Sequence, residues 1–164
     1  MTDVTIISGG QSGVDRGALE AAIAAGAAYG GWCPLGGWAE DAPEAPGVRA
    51  RYPGLEETPT RDPSERTKWN VRDSDAVLAL VDRRGLGVSA GTRLAIELAA
   101  HYGKPCLCLD LDEQARLRRA KEWLGTLPLQ LRLNIVGPRE SEAPGICEAS
   151  RCFVANLLLS CTAR

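Results

Sequence analysis

Val4-Thr5-Ile6-Ile7-Ser8-Gly9-Gly10-Gln11-Ser12-Gly13-Val14-Asp15-Arg16 passes from a β-branched apolar run, through three glycines, straight into a helical pattern. The apolar residues predict a strand over Val4 to Ser8, and Val14, Ala18, Ala21, Ala22 and Ala25 form the stripe of a following helix. The turn between them has the makings of an anion cradle. Glycine reaches left-handed dihedrals at little cost and lets backbone N–H groups approach a ligand, while a helix N-terminus carries roughly half a positive charge. Ser8 and Ser12 add hydroxyls, Gln11 an amide, and Asp15 and Arg16 place charge in the first helical turn. The spacing is neither the G-x-G-x-x-G fingerprint nor the Gly-Lys-Ser/Thr of a P-loop, so ATP hydrolysis of that kind is disfavoured.

Outward from this unit the pattern repeats. Strands are predicted at Ala28 to Cys33, Ala76 to Val81, Pro105 to Asp110 and Arg132 to Val136. Leu94, Ala95, Leu98, Ala99 and Tyr102 mark a helix after the third strand, a further helix spans Glu113 to Leu124, and Ile146, Ala149, Phe153 and Leu157 form the inner face of a terminal one. Gly26 and Gly103 are stop signals for the first two helices. Strands alternating with helices predict a three-layer α/β fold, a mainly parallel central sheet flanked by helices, with residues 1–164 as one domain. The exception is about residues 36–65, a long loop holding Pro43, Pro46, Pro53, Pro59 and Pro63; Trp38 and Tyr52 within it favour a lid or pocket wall over a solvated linker.

Composition narrows the function. A net charge of −2 gives no global field toward nucleic acid or an acidic membrane, and no apolar run reaches spanning length. Met1-Thr2-Asp3 carries no signal-peptide pattern, so a cytoplasmic protein is expected. The six cysteines show no C-x-x-C pair and read as reduced thiols rather than metal ligands; Cys106 and Cys108, on one face of a strand, suit packing.

A second glycine turn, Gly85-Leu86-Gly87-Val88-Ser89-Ala90-Gly91-Thr92, leaves the Ala76 to Val81 strand and opens the next helix. Adjacent strand ends would bring the two turns to one edge, with Ser89, Gly91 and Thr92 gripping the same ligand as Ser8 to Gly13. Between them in sequence, Trp69 offers a stacking surface and Asn70 a ring-edge contact, while Arg66, Lys68 and Arg72 read as a solvated helix face. Asp15, Asp73 and Asp75 are the carboxylates available for acid–base work, with Arg16 to stabilise charge, although capping and turn formation also account for Asp73 and Asp75. His101, the single histidine, stands at a helix C-terminus without a nucleophile beside it in sequence.

Ser8 to Leu19, Gly31-Trp32-Cys33-Pro34, Glu40-Asp41, Arg66 to Asp75 and Leu133 to Arg139 together resemble, nearly end to end, the family known as putative molybdenum carrier proteins. That family is similar to the molybdenum cofactor carrier protein and to the lysine-decarboxylase-like, Rossmann-type nucleotide binders. The resemblance implies a Rossmann-like fold, a homo-oligomer, and a phosphate-bearing small molecule as ligand: a molybdopterin-type molybdenum cofactor or a nucleotide. One branch of the wider group hydrolyses cytokinin nucleotides with a Pro-Gly-Gly-x-Gly-Thr-x-x-Glu turn. Here Gly91-Thr92 is kept, but Val88-Ser89-Ala90 replaces the Pro-Gly-Gly, and Ala95 stands where the glutamate would. Glu97 lies two residues on, roughly 200° further around the helix. The expectation is therefore a carrier or sensor, with a phosphoribohydrolase-like enzyme as the alternative.

Overall fold

The computed structural model describes residues 3–162; Met1 and Thr2, part of the signal-peptide reading, lie outside them. Asp3–Ile7 (β1), Tyr29–Gly30 (β2), Ala76–Val81 (β5), Cys106–Asp110 (β6) and Gln130–Val136 (β7) build one parallel sheet in the order β2-β1-β7-β5-β6. Trp32–Cys33 (β3) and Glu56–Glu57 (β4) form a separate parallel pair. The helices are Val14–Ala24 (α1), Pro63–Arg72 (α2), Ala90–His101 (α3), Arg116–Leu124 (α4) and Ile146–Thr162 (α5). The three-layer α/β fold expected from the sequence is thus present.

Alternation along the strands divides the helices between two faces. Val4, Ile6, Leu78, Leu80, Leu131, Leu133 and Ile135 point to the face covered by α1, α4 and α5, where Ala18, Ala22, Ala120, Phe153 and Leu157 close the core. Val77, Ala79 and Val136 point to the other, against Val71 of α2 and Ala95 and Ala99 of α3. Each fully buried Leu, Ile or Phe contributes on the order of 1.5–3 kcal/mol, so the larger first face supplies most of the cohesion.

Three expectations are corrected. The Ala28 to Cys33 strand breaks in two at Gly31, whose φ of 127° and contact with the Ser8 backbone exclude a side chain, and the chain changes sheets there. Cys106 is exposed and Cys108 half-buried because β6 is a sheet edge. The first and third long strands are not neighbours, since β7 lies between β1 and β5. Periodicity cannot reveal that order, because it reports which face a strand buries and not which strand sits beside it.

The proline-rich stretch is ordered. It ends at Asp62, which accepts the Ser64 N–H at 2.9 Å as N-cap of α2, with Pro63 in the first helical turn. Before that, Ala39, Val48, Tyr52 and Leu55 pack with Leu19 and Cys33 in a small core of their own above α1. Burial pushes the Cys33 thiol up to about 11 and the Tyr52 hydroxyl up to about 12.

Candidate functional site

The Ser8–Gly13 turn closes on its own side chains. Ser8 Oγ donates to the Asp15 carbonyl at 3.0 Å and accepts the Gly10 N–H at 3.2 Å. The Gln11 N–H donates to Asp15 Oδ2 at 3.3 Å, and Gln11 Oε1 accepts the Ser12 N–H at 3.0 Å. A guanidinium reaches the same carboxylate: Arg66 Nη1 lies 3.2 Å from Asp15 Oδ2, with side-chain exposures of 13% and 5%. Arg66 lies against Gly9, where any side chain would collide with it. Burial pushes the Asp15 carboxyl upward, opposed first by Arg66 and then by the Gln11 N–H, and the net displacement is upward. Gly13, at φ 76°, leaves no room for a Cβ against the Pro138 carbonyl and the Arg139–Glu140 peptide. It is a packing glycine.

The second turn behaves differently. Ser89 caps α3, its Oγ accepting the Thr92 N–H at 3.3 Å and the Thr92 hydroxyl at 2.8 Å. No hydrogen bond claims the Ala90 or Gly91 N–H among the described residues, and nothing stands within 4 Å of a Cβ built on Gly91. These groups face a cavity of about 340 Å³, walled by the start of α2 with its cap (Asp62, Ser64, Arg66, Thr67), the start of α3 (Ser89 to Thr92), the end of β7 and the turn after it (Val136, Gly137, Arg139, Glu142), and Gln11 with Asp15. From β7 the chain turns to α5 on one face; from the adjacent β5 it turns to α3 on the other. The cavity therefore lies at the point where strand connections diverge, outside the carboxyl ends of the strands, where open α/β sheets hold ligands.

The lid is strapped to this region by its acidic pair. Glu40 accepts hydrogen bonds from the Ser12 hydroxyl, from the Ser141 N–H at 3.2 Å and from the Ser141 hydroxyl at 2.6 Å; its own N–H donates to Gln11 Oε1 at 2.9 Å. Burial pushes Glu40 upward, but the hydrogen bonds from Ser12 and Ser141 outweigh it and hold the carboxyl below its ordinary value. Asp41 takes both terminal nitrogens of Arg16 at 2.9 Å, and that hydrogen bonding lowers its pKa. Arg139, on the cavity wall, stacks over Trp38 of the lid at 5.8 Å.

The structure thus brings together only part of the expected set. Gln11, Asp15, Ser89, Gly91 and Thr92 line the cavity; Ser8, Gly9, Gly10, Ser12 and Gly13 build the turn behind it without lining it. Arg16 serves Asp41 and the Gly10 carbonyl, the latter at 3.3 Å. Asn70 spends its amide on the Trp32 backbone, donating to the carbonyl at 2.9 Å and accepting the N–H at 2.7 Å. Trp69 meets Trp32 edge-on at 4.8 Å with Arg72 over its ring, so neither Asn70 nor Trp69 is placed for a ligand in this cavity. Asp73 and Asp75 precede β5 and stand at the opposite edge of the sheet, bound to the Trp32 indole and the Arg132 N–H respectively. His101 pairs with Tyr102 at 5.1 Å at the far end of α3. Glu97 is exposed, whereas Ala95 lines the cavity, as the helical geometry required.

Arg66 and Arg139 were the residues that sequence reasoning underrated. Arg66 reads as one cation on a polar helix, yet it faces inward because Gly9 leaves space for it. The run Gly137-Pro138-Arg139 after a strand is the available signal for the third turn.

Helices on both faces of a parallel sheet, with a cleft where the connections diverge, define the Rossmann-like class of α/β proteins. Within that class the chain belongs to the circularly permutated YpsA SLOG family, whose model matches residues 6–158. It is also similar to the solved "putative molybdenum carrier protein" of Syntrophus aciditrophicus SB, at 38% identity over 94% of both chains with a TM-score of 0.80. No curated protein matches. Among the described residues no helix is long and apolar enough to cross a membrane.

Proposed function

We propose that the protein binds a phosphate-bearing small molecule in the cavity between α2, α3 and the end of β7, and serves as its carrier or sensor. One observation carries this reading: the open Ala90 and Gly91 N–H groups at the start of α3 share a cavity wall with Arg139, Ser64 and Thr67. A helix N-terminus and a guanidinium are groups that recognise a phosphate; the Ser64 and Thr67 hydroxyls here donate to Asp62 at 2.8 Å and to the Pro63 carbonyl at 3.0 Å. The molybdenum carrier name of the 38% identical protein favours a molybdopterin-type cofactor as cargo, with a nucleotide as the other candidate. Among the described residues no cysteine or histidine lines the cavity, so a molybdenum cofactor would be held there through its phosphate and ring rather than its metal. A cytoplasmic homo-oligomer completes the proposal. Native mass spectrometry of freshly purified protein, followed by titration with molybdenum cofactor and a nucleotide panel, tests it. Failure to bind any phosphorylated molecule would reject it.

A second reading, a hydrolase of phosphorylated nucleosides, draws on the buried Asp15 carboxylate in the same wall. Release of base or ribose phosphate from nucleoside monophosphates, abolished by Asp15→Asn, would support it; unaltered turnover in that variant excludes Asp15 from the chemistry.

A further inference from the structure

The first glycine turn is already occupied by an anion, and that anion belongs to the protein. Asp15 Oδ2 receives the Gln11 N–H at 3.3 Å and Arg66 Nη1 at 3.2 Å, and the Gly9 N–H also stabilises the carboxylate. Successive backbone N–H groups around a concavity, backed by a guanidinium, are what a phosphate would use. Every group that meets this carboxylate is a donor, as an ionised acceptor requires.

We propose that Asp15 is a specificity-determining residue: by filling the anion nest of the Ser8–Gly13 turn, it limits the cavity to ligands presenting one phosphate and turns away those presenting two adjacent ones. The inference rests on the reading of the cavity as an anion site. Asp15 and the start of α3 share that cavity, with Asp62 and Glu142 the other carboxylates on its wall, so one phosphate seated on the Ala90 and Gly91 N–H groups leaves a second directed at acidic groups, of which Asp15 alone is held by the first turn. Like charges brought together away from water repel strongly. Arg66 spends its Nη1 on Asp15, so that guanidinium is not wholly available to a second phosphate. The residue that makes the turn self-contained is also the one that withholds it from ligand.

Titration calorimetry with inorganic phosphate and pyrophosphate tests the proposal. The wild-type protein is expected to bind phosphate about tenfold more tightly than pyrophosphate, and Asp15→Asn, nearly identical in shape, to shift the balance toward pyrophosphate by about that factor. Wild-type binding of pyrophosphate as tight as that of phosphate, or tighter, overturns the inference without recourse to any variant. So does an unchanged ratio in an Asp15→Asn protein whose circular dichroism and melting show it folded. In both cases phosphate still binds and the anion-site reading survives. Binding of neither probe to the wild type removes that reading and this inference together.

Discussion

The two glycine turns, Ser8–Gly13 and Gly85–Thr92, follow strands of the same sheet and open helices of similar length, yet they are put to opposite uses. In the first, each glycine faces a neighbour: Arg66 at Gly9, Val48 and Leu55 of the lid at Gly10, the Pro138 carbonyl at Gly13. In the second, Gly85, Gly87 and Gly91 meet nothing within 4 Å of a built Cβ. Glycine can serve close packing of protein on protein or access of ligand to backbone, and the two are indistinguishable as composition. The difference lies in one residue. Asp15, in the first turn of α1, draws the first loop's donors inward; the corresponding part of α3, Gly91-Thr92-Arg93, holds no carboxylate.

The sharpest way to break this contrast is to place the same side chain in both turns. Gly13→Val forces a Cβ into the Pro138 carbonyl at a positive φ and should cost about 3 kcal/mol or more, read as a large fall in the denaturation midpoint. Arg66→Leu comes next: it leaves the buried Asp15 carboxylate without its cation, for an expected loss of about 3 kcal/mol by the same measurement. Gly91→Val should change stability by no more than about 1 kcal/mol, since the site is open, while reducing phosphate affinity by about tenfold in calorimetry through obstruction of the α3 N-terminus. If Gly13→Val were tolerated and Gly91→Val were not, the assignment of packing and access would be reversed.

Acidification sharpens the comparison more gently, through the lid that packs on the first turn. Glu40 and Asp41 are both held below their ordinary values of 4.5 and 3.8, so their contribution is fully present above those values and is lost as pH falls through the lower values they have in the fold. Hydrogen-exchange protection factors over residues 38–52 should therefore fall on acidification before those of β5 do. The smallest effect is expected at Glu97: Glu97→Gln should leave binding, and any turnover, unchanged, because Ala95 and not Glu97 faces the cavity.

Much of the architecture was legible because it depends on short-range periodicity. The β1 and α1 stripes and the Gly26 and Gly103 stops (φ 66° and 64°) follow from spacing alone. The misreadings share a cause. The position of β7 between β1 and β5, the inward turn of Arg66 toward residues 51 positions earlier, and the spending of Asn70 on Trp32 are all long-range pairings. Local pattern states that an amide or guanidinium is available; it does not state which distant backbone will claim it. Asp73 and Asp75 were misplaced for a related reason, since closeness to a strand in sequence does not distinguish its amino end from its carboxyl end.

The central place of β7 has a consequence for how the chain is made. During synthesis β1 and β5 emerge long before the strand that joins them, and each exposes an unpaired edge and apolar residues such as Ile6 and Leu78 until residues 130–136 arrive. The sheet is then two unconnected pieces, and pairing across such sequence distances is slow relative to local helix formation. A nascent chain paused before Gln130 would carry helices without a continuous core, and would be more open to protease and to aggregation than one released a few residues later.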